Sequence, residues 1–489
     1  MTTPEAPVVP GADQPTRRQE GAPLLAVVVV GIGVDLAVRW GRHLAETGTV
    51  LHLLGGFLLR GQFEPAEHPH VWLPVVVAVV VVLVGPALAA RVGWWLLLPG
   101  SAVLAAGWAV TLALASGWYR LYQPLDVVYE YPHDVPRVGS IGEFLRTFVE
   151  HVPADSADPW TTHVAGHPPL ATLAFVALDR LGLTGLAWAA AMCIAGGALA
   201  VPAVLVGVRA VAGEDAARTA APFLVLAPLA LWVATSADAL FAGVAAWGVA
   251  LVAAAASSGG GRGRDVRALA GGLLLGAALF LSFGLTAVGL LVLVAVLVHR
   301  ARLGWSGVLR VLAVAAVGVV VVVAAFAVGG YWWLDGFSAA GDRVRTGPSY
   351  ADRPFGFFVL ANLAVAAVAV GPAAVGGLAA VRRSRLAVLP LAALAGLLVS
   401  DLSGLVRGET ERIWLPFYVW LVPAAAFLPA RQRRWWLLAG AVVAIWIEVH
   451  VRTEWCPPRP GFSRETGWGV AGPLRELAEG ARTVGLCVR

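Results

Sequence analysis

Apolar residues gather into thirteen stretches along the chain, at 22–38, 72–91, 94–116, 184–207, 218–236, 239–256, 268–283, 284–298, 307–329, 356–378, 386–403, 413–429 and 435–451. A helix needs about 20 apolar residues to cross the hydrocarbon core of a bilayer, and shorter ones are tolerated inside a bundle, so the pattern predicts an all-α polytopic membrane protein with about 11 to 13 transmembrane helices. The stretch 268–298 is barely long enough for two crossings. Residues 169–183 carry a further helical pattern opened by Pro168-Pro169, where proline is already set for a first turn. That segment is short, carries Asp179-Arg180 and is expected to lie along the interface.

One polar stretch interrupts this pattern. From Trp118 to His167 acids, histidines and tyrosines crowd together, ending Thr162-His163-Val164-Ala165-Gly166-His167-Pro168-Pro169-Leu170. Loops beyond about 12 to 15 residues are functional or disordered as a rule, and this one is too rich in Trp, Tyr, Phe and Pro to read as disordered.

Composition sharpens the reading. The chain is 59% hydrophobic and 13% charged, with a mean hydropathy of +0.78, which a soluble domain could not hide. Its formal charge of +5 comes from arginine alone, since no lysine occurs. The arginines sit in short loops and form no basic face, which excludes a nucleic-acid-binding protein. They fall in alternate connections: Arg209 with Arg218; Arg262, Arg264 and Arg267; Arg300 with Arg302; Arg382, Arg383 and Arg385; Arg431, Arg433 and Arg434. The positive-inside rule makes that face cytoplasmic. Residues 1–20 are then a disordered cytoplasmic N-terminus and 21–116 the first spans of a multi-pass inner (plasma) membrane protein. Residues 117–183 form an external loop, and 184–451 a bundle with external loops 330–355 and 401–412. The tail 452–489 is external, where Cys456 and Cys487 can pair as a disulfide. Arg17-Arg18 resembles a twin-arginine signal, but without a clear cleavage site the first apolar stretch reads as an uncleaved span.

Candidate chemistry concentrates in the external segments. The first loop offers Asp126, Glu130 and Asp134 as carboxylates able to act as general bases, with Tyr131, His163 and His167 beside them. The bland alternative is that they are solvated loop charges. Asp238 ends an apolar stretch with the next beginning at once; an ionisable group at membrane depth is a functional candidate by default, against a plain interfacial cap. Arg343, Arg345 and Arg353 lie among aromatics in 330–355, and Arg412 follows Arg407, Glu409 and Glu411. Guanidinium forks suit phosphate, while snorkelling arginines or an internal ion-pair network are the structural alternatives. The histidine spacings match no compact zinc pattern, so no metal ligands are assigned, a divalent cation staying a minor possibility. There is no phosphate-binding glycine loop for ATP, no dinucleotide fingerprint and no G-x-S-x-G elbow.

These features together resemble the GT-C membrane glycosyltransferases, in particular the protein O-mannosyltransferase and aminoarabinose transferase superfamily. The resemblance rests on an acid-bearing first external loop, His167-Pro168-Pro169-Leu170 opening a short helix that ends Leu181-Gly182-Leu183, and Thr235-Ser236-Ala237-Asp238 at the end of a later span. It extends loosely to Arg412-Ile413-Trp414-Leu415-Pro416. Two additional spans precede the loop in this chain. The resemblance implies an external active site that moves a sugar from a polyprenyl-phosphate donor to a glycan, lipid or protein acceptor of the cell envelope. The base would be Asp134, Glu130 or Asp126, the second acid Asp238, and the leaving phosphate would meet Arg343, Arg345, Arg353 or Arg412. His163, His167 and Tyr131 would bind substrate. The rivals are a multispan transporter or lipid flippase and a non-catalytic membrane protein of the same fold. Transport predicts charges in span centres, which are empty here apart from Asp35, with Glu448 near a span end.

Overall fold

The computed structural model describes residues 17–53, 59, 61–63, 68–347, 350 and 352–453, and side chains from residue 21 onward apart from those of residues 61, 62, 452 and 453. Cys456 and Cys487 lie outside the described residues.

Each of the thirteen apolar stretches is wholly or partly helical. The first three give α1 (Arg17–Glu46), α2 (Trp72–Arg91) and α3 (Trp94–Leu114). The polar stretch follows as 3-10 turns and two short helices, α4 (Ile141–Thr147) and α5 (Thr162–Gly166), before α6 (Pro169–Arg180). Ser140 caps α4 by accepting from the Glu143 amide. Pro169 opens α6 at the motif where the sequence predicts it. Then come α7 (Leu186–Ala212), α8 (Glu214–Val225), α9 (Ala230–Val233), α10 (Ala237–Ser257), α11 (Arg262–Leu281), α12 (Gly289–Leu297) and α13 (Arg300–Val328). The stretch 218–236 is thus broken between α8 and α9 beside Pro228, and 284–298 begins as a 3-10 turn at Phe283–Val288.

Residues 330–355, expected as a loop, contain α14 (Trp333–Thr346). Trp333, Phe337, Ala340 and Val344 recur at helical spacing, with Asp335 in the first turn and Arg343 and Arg345 in the last, where each charge suits the helix dipole. The chain closes with α15 (Phe355–Ala379), α16 (Val388–Leu402), α17 (Thr410–Ile413), α18 (Leu415–Leu421) and α19 (Arg433–His450). A two-stranded antiparallel pair joins β1 (Gly61–Phe63) to β2 (Val451–Thr453). Among the described residues eight helices are long and apolar enough to cross a membrane, and Phe283–Leu297 and Leu415–Phe427 are shorter apolar helices. The chain is an all-α polytopic membrane protein.

Because lipid is as apolar as leucine, close backbone contact and interhelical bonds drive packing here. A Cβ on Gly243 would overlap the Gly196 carbonyl, and one on Gly272 would overlap that of Ala315, so α7 meets α10 and α11 meets α13 backbone to backbone. The connections sort into two sets. Arg218 donates to the carbonyls of Ala89 and Val92, Arg209 lies over Trp94, and Arg302 donates to Ser257 and Ala256. These are the arginine-rich turns. On the other face Arg343 donates to Val152 and Trp160 of the polar stretch, and Arg353 to Leu51 and His52. The polar segments therefore form one continuous loop face.

Candidate functional site

The polar stretch is organised by buried rings. Phe144, Phe148 and Trp160 pack edge to face and stacked, with Tyr331 against Phe148. Asp134, 1% exposed, sits beneath them: one carboxylate oxygen accepts from Arg137 at 2.6 Å, the other from the Thr161 amide at 2.8 Å. Arg137 also reaches Asp158 at 2.7 Å and covers the Trp160 ring. Burial opposes the Arg137 charge, but the bonds to Asp134 and Asp158 outweigh it and raise its pKa. Asp134 thus fastens the turn after Glu130 to the start of α5.

Fixing that turn places Glu130 and His163 together, 2.9 Å apart between Glu130 Oε1 and His163 Nδ1, both under a tenth exposed. Across them lies Arg412, 6% exposed, at the end of a sharp turn where Gly408 and Glu409 both take positive φ, +95° and +60°. Its guanidinium donates to Asp238 Oδ2 at 2.5 Å, to Glu409 Oε2 at 2.9 Å and to His163 Nε2 at 2.9 Å. Since arginine offers only donors, His163 Nε2 must accept and its proton stays on Nδ1, facing Glu130. Burial works against the Arg412 charge, but Asp238, Glu409 and Glu130 outweigh it and raise its pKa. Asp238, 2% exposed, occupies the first turn of α10, where a carboxylate suits the helix dipole.

Tyr131 lines this cluster, stacked on Phe175 at 5.1 Å and near His163 and His167. Its hydroxyl is buried with no hydrogen-bond partner among the described residues. Burial first, then the charges of Asp238 and Glu130, hold its pKa well above the usual phenol value. His167 Nδ1 donates to the His163 carbonyl at 2.9 Å, and burial keeps its imidazole below its usual pKa despite Asp238 nearby.

The structure brings together Glu130, Tyr131, His163, His167, Asp238 and Arg412. It leaves the other candidates apart. Asp126 is exposed, and its backbone carbonyl accepts from His133. Arg345 is an exposed partner of Asp342. Arg343 is bound to carbonyls of the polar stretch, and burial lowers its pKa. Arg353 donates to the carbonyls of Leu51, His52 and Arg407, and Arg407 to those of Tyr350 and Arg353 while lying 3.8 Å over the Tyr350 ring.

Glu409 belongs to the cluster but was read only as part of a charged run; the positive-φ turn that aims it leaves no mark in the sequence beyond Gly404 and Gly408. Asn362 was missed altogether. It donates to Asp401 and to the Val406 carbonyl and accepts from the Gly408 amide, fixing that turn. Among the described residues no group of three or more His, Cys, Asp or Glu is arranged to hold a metal ion.

No protein-family model and no curated protein matches the chain. Among solved structures it is similar to the crystal structure of the Archaeoglobus fulgidus oligosaccharyltransferase in complex with zinc and sulfate, at 13% identity and a TM-score of 0.38. That similarity covers 72% of this chain and 53% of the other, so the chain spans about half of that protein's length.

Proposed function

We propose that the chain is a GT-C-type membrane glycosyltransferase whose loop face is external, taking a sugar from a polyprenyl-phosphate donor to a cell-envelope acceptor. One observation carries this reading: a single buried arginine ties an acid at the end of a span, Asp238, to the His163–Glu130 pair of the polar stretch. Spending that much desolvation on groups away from the bilayer centre suits a reaction that needs a fixed base.

In this reading Glu130 is the base. It takes the proton of the acceptor hydroxyl while the oxygen attacks the anomeric carbon, and the bond from that carbon to the polyprenyl phosphate breaks with its electron pair on phosphate. His163 orients Glu130 through Nδ1–H. Arg412 holds Asp238 and His163 in place, and the Tyr131 hydroxyl donates to a substrate oxygen. Asp134 is assigned to building the loop, because both of its oxygens are occupied within it. Arg407, whose hydrogen-bond acceptors are backbone carbonyls, supports the leaving phosphate from the far side of Gly408.

The test is transfer from radiolabelled polyprenyl-phosphate sugars in membranes. Glu130→Gln is expected to lower turnover by about 100-fold or more, in the range of lost general-base catalysis. Asp238→Asn should do the same, and Asp126→Asn should leave transfer unchanged. Full activity in both of the first two variants, at wild-type protein levels, overturns the assignment.

A further inference from the structure

On the same face, away from the Arg412 cluster, a second chain of polar side chains joins three segments. His68 lies just before α2, Ser116 just after α3, and Glu448 near the end of α19. Ser116 Oγ is 2.8 Å from Glu448 Oε1 and 2.8 Å from His68 Nδ1, while His68 Nε2 lies 3.0 Å from the Val449 carbonyl. Serine stands in the middle, between acid and imidazole. The order of a hydrolytic triad, with histidine in the middle, is therefore absent.

Counting protons fixes the state of the chain. The Val449 carbonyl only accepts, so His68 Nε2 must carry a hydrogen. The two remaining contacts both become hydrogen bonds only if two hydrogens are shared among the Glu448 carboxyl, the Ser116 hydroxyl and His68 Nδ1. Ser116 supplies one. The other sits either on Glu448, which then donates to Ser116 as Ser116 donates to Nδ1, or on Nδ1, which then donates to Ser116 as Ser116 donates to the carboxylate. The two arrangements hold the same number of protons and interconvert by a shift along the serine. Removing the proton leaves the Nδ1 lone pair facing a serine lone pair, and one contact turns repulsive.

We infer that this single shared proton latches the segment before α2 to the end of α19, and that its loss in alkaline conditions releases them. What it fastens is continuous with structure: β2 begins at Val451, two residues beyond Val449, and pairs with β1 ahead of His68. The latch also ends an apolar groove of about 400 Å³ between α2 and α19, lined by Val75, Val79, Val442, Trp446, Val449 and His450. The other charged groups facing the latch are Arg120, near both His68 and Glu448, and His450, near His68. Burial lowers the His68 pKa, the Val449 carbonyl partly offsets this, and Arg120 and His450 add to the lowering.

The inference is independent of the sugar-transfer reading and is tested without it, by amide hydrogen exchange of the full chain in lipid nanodiscs between about pH 5 and about pH 9, corrected for intrinsic rates. In the wild type, opening of residues 68–71 and 449–453 is expected to be flat at low pH and then to rise about tenfold per pH unit, the slope for one proton. Glu448→Gln places a permanent donor opposite Ser116, which can then donate to His68 Nδ1, so both segments should stay protected across the range. Ser116→Ala should leave them open throughout. Wild-type opening that does not change with pH, or Glu448→Gln opening along with the wild type, overturns the inference. The glutamine variant keeps the test decisive if Ser116→Ala does not fold.

Discussion

At the scale of single residues, Arg412 is the group whose loss should matter most. It is the shared donor for Asp238, Glu409 and His163, and removing one partner from a buried ionic cluster costs about 3–5 kcal/mol, mainly because the others are left unpaired. Arg412→Met should therefore lower thermal stability in detergent sharply, and Arg412→Lys, which keeps the charge but loses the fork, should fall between. His167 adds a pH dependence of known sign. Its folded pKa lies below the usual 6.5 because burial disfavours the charged ring, so the unfolded chain binds the proton more readily. The stability it contributes is complete above about pH 6.5 and is lost as pH falls toward the depressed folded value. Unfolding midpoints followed from pH 7.5 downward should drop in the wild type and drop less in His167→Gln.

At the scale of elements, the helices were legible and the connections were not. A run of apolar residues long enough to cross lipid admits little besides a helix, which is why the thirteen stretches are wholly or partly helical, eight described helices being long and apolar enough to cross, and why α6 opens behind Pro168-Pro169. Charge at segment ends was harder to read. Residues 333–346 looked like a loop because Asp335, Arg343 and Arg345 raised their polarity, while the spacing of Trp333, Phe337, Ala340 and Val344 already described an amphipathic helix. The site was half visible. Asp238, Glu130, His163 and Arg412 are recognisable as polar residues where lipid or interface is expected. That Asp134 builds the loop, and that Glu409 completes the cluster, depends on pairings 27 residues apart and on a turn at positive φ. This turn makes its own prediction. Gly408 holds φ +95°, and a Cβ there would stand 3.2 Å from the Phe358 ring. Gly408→Ala should cost about 1–3 kcal/mol and displace Arg412, reducing transfer further than the stability loss alone accounts for; kinetics and unfolding measured on the same preparation separate the two.

For the whole molecule, the two sets of connections amount to a statement about sidedness. Arg343, Arg353 and Arg412 bind the polar stretch and its neighbours, whereas Arg209, Arg218 and Arg302 clasp the turns of the opposite face. Thiol labelling of intact cells checks the orientation in a background with Cys456 and Cys487 replaced by serine, Cys193 being buried. Ser140→Cys should react with a membrane-impermeant reagent from outside, and Ser384→Cys only after lysis; the reverse pattern would turn the site inward. The shared arginine has a last consequence: its partners come from three segments far apart in the chain, Asp238 at the start of α10, His163 in α5 and Glu409 in the turn before α17. One guanidinium therefore ties the polar stretch and that turn to the bundle, and a shift in any one of them is felt at the other two.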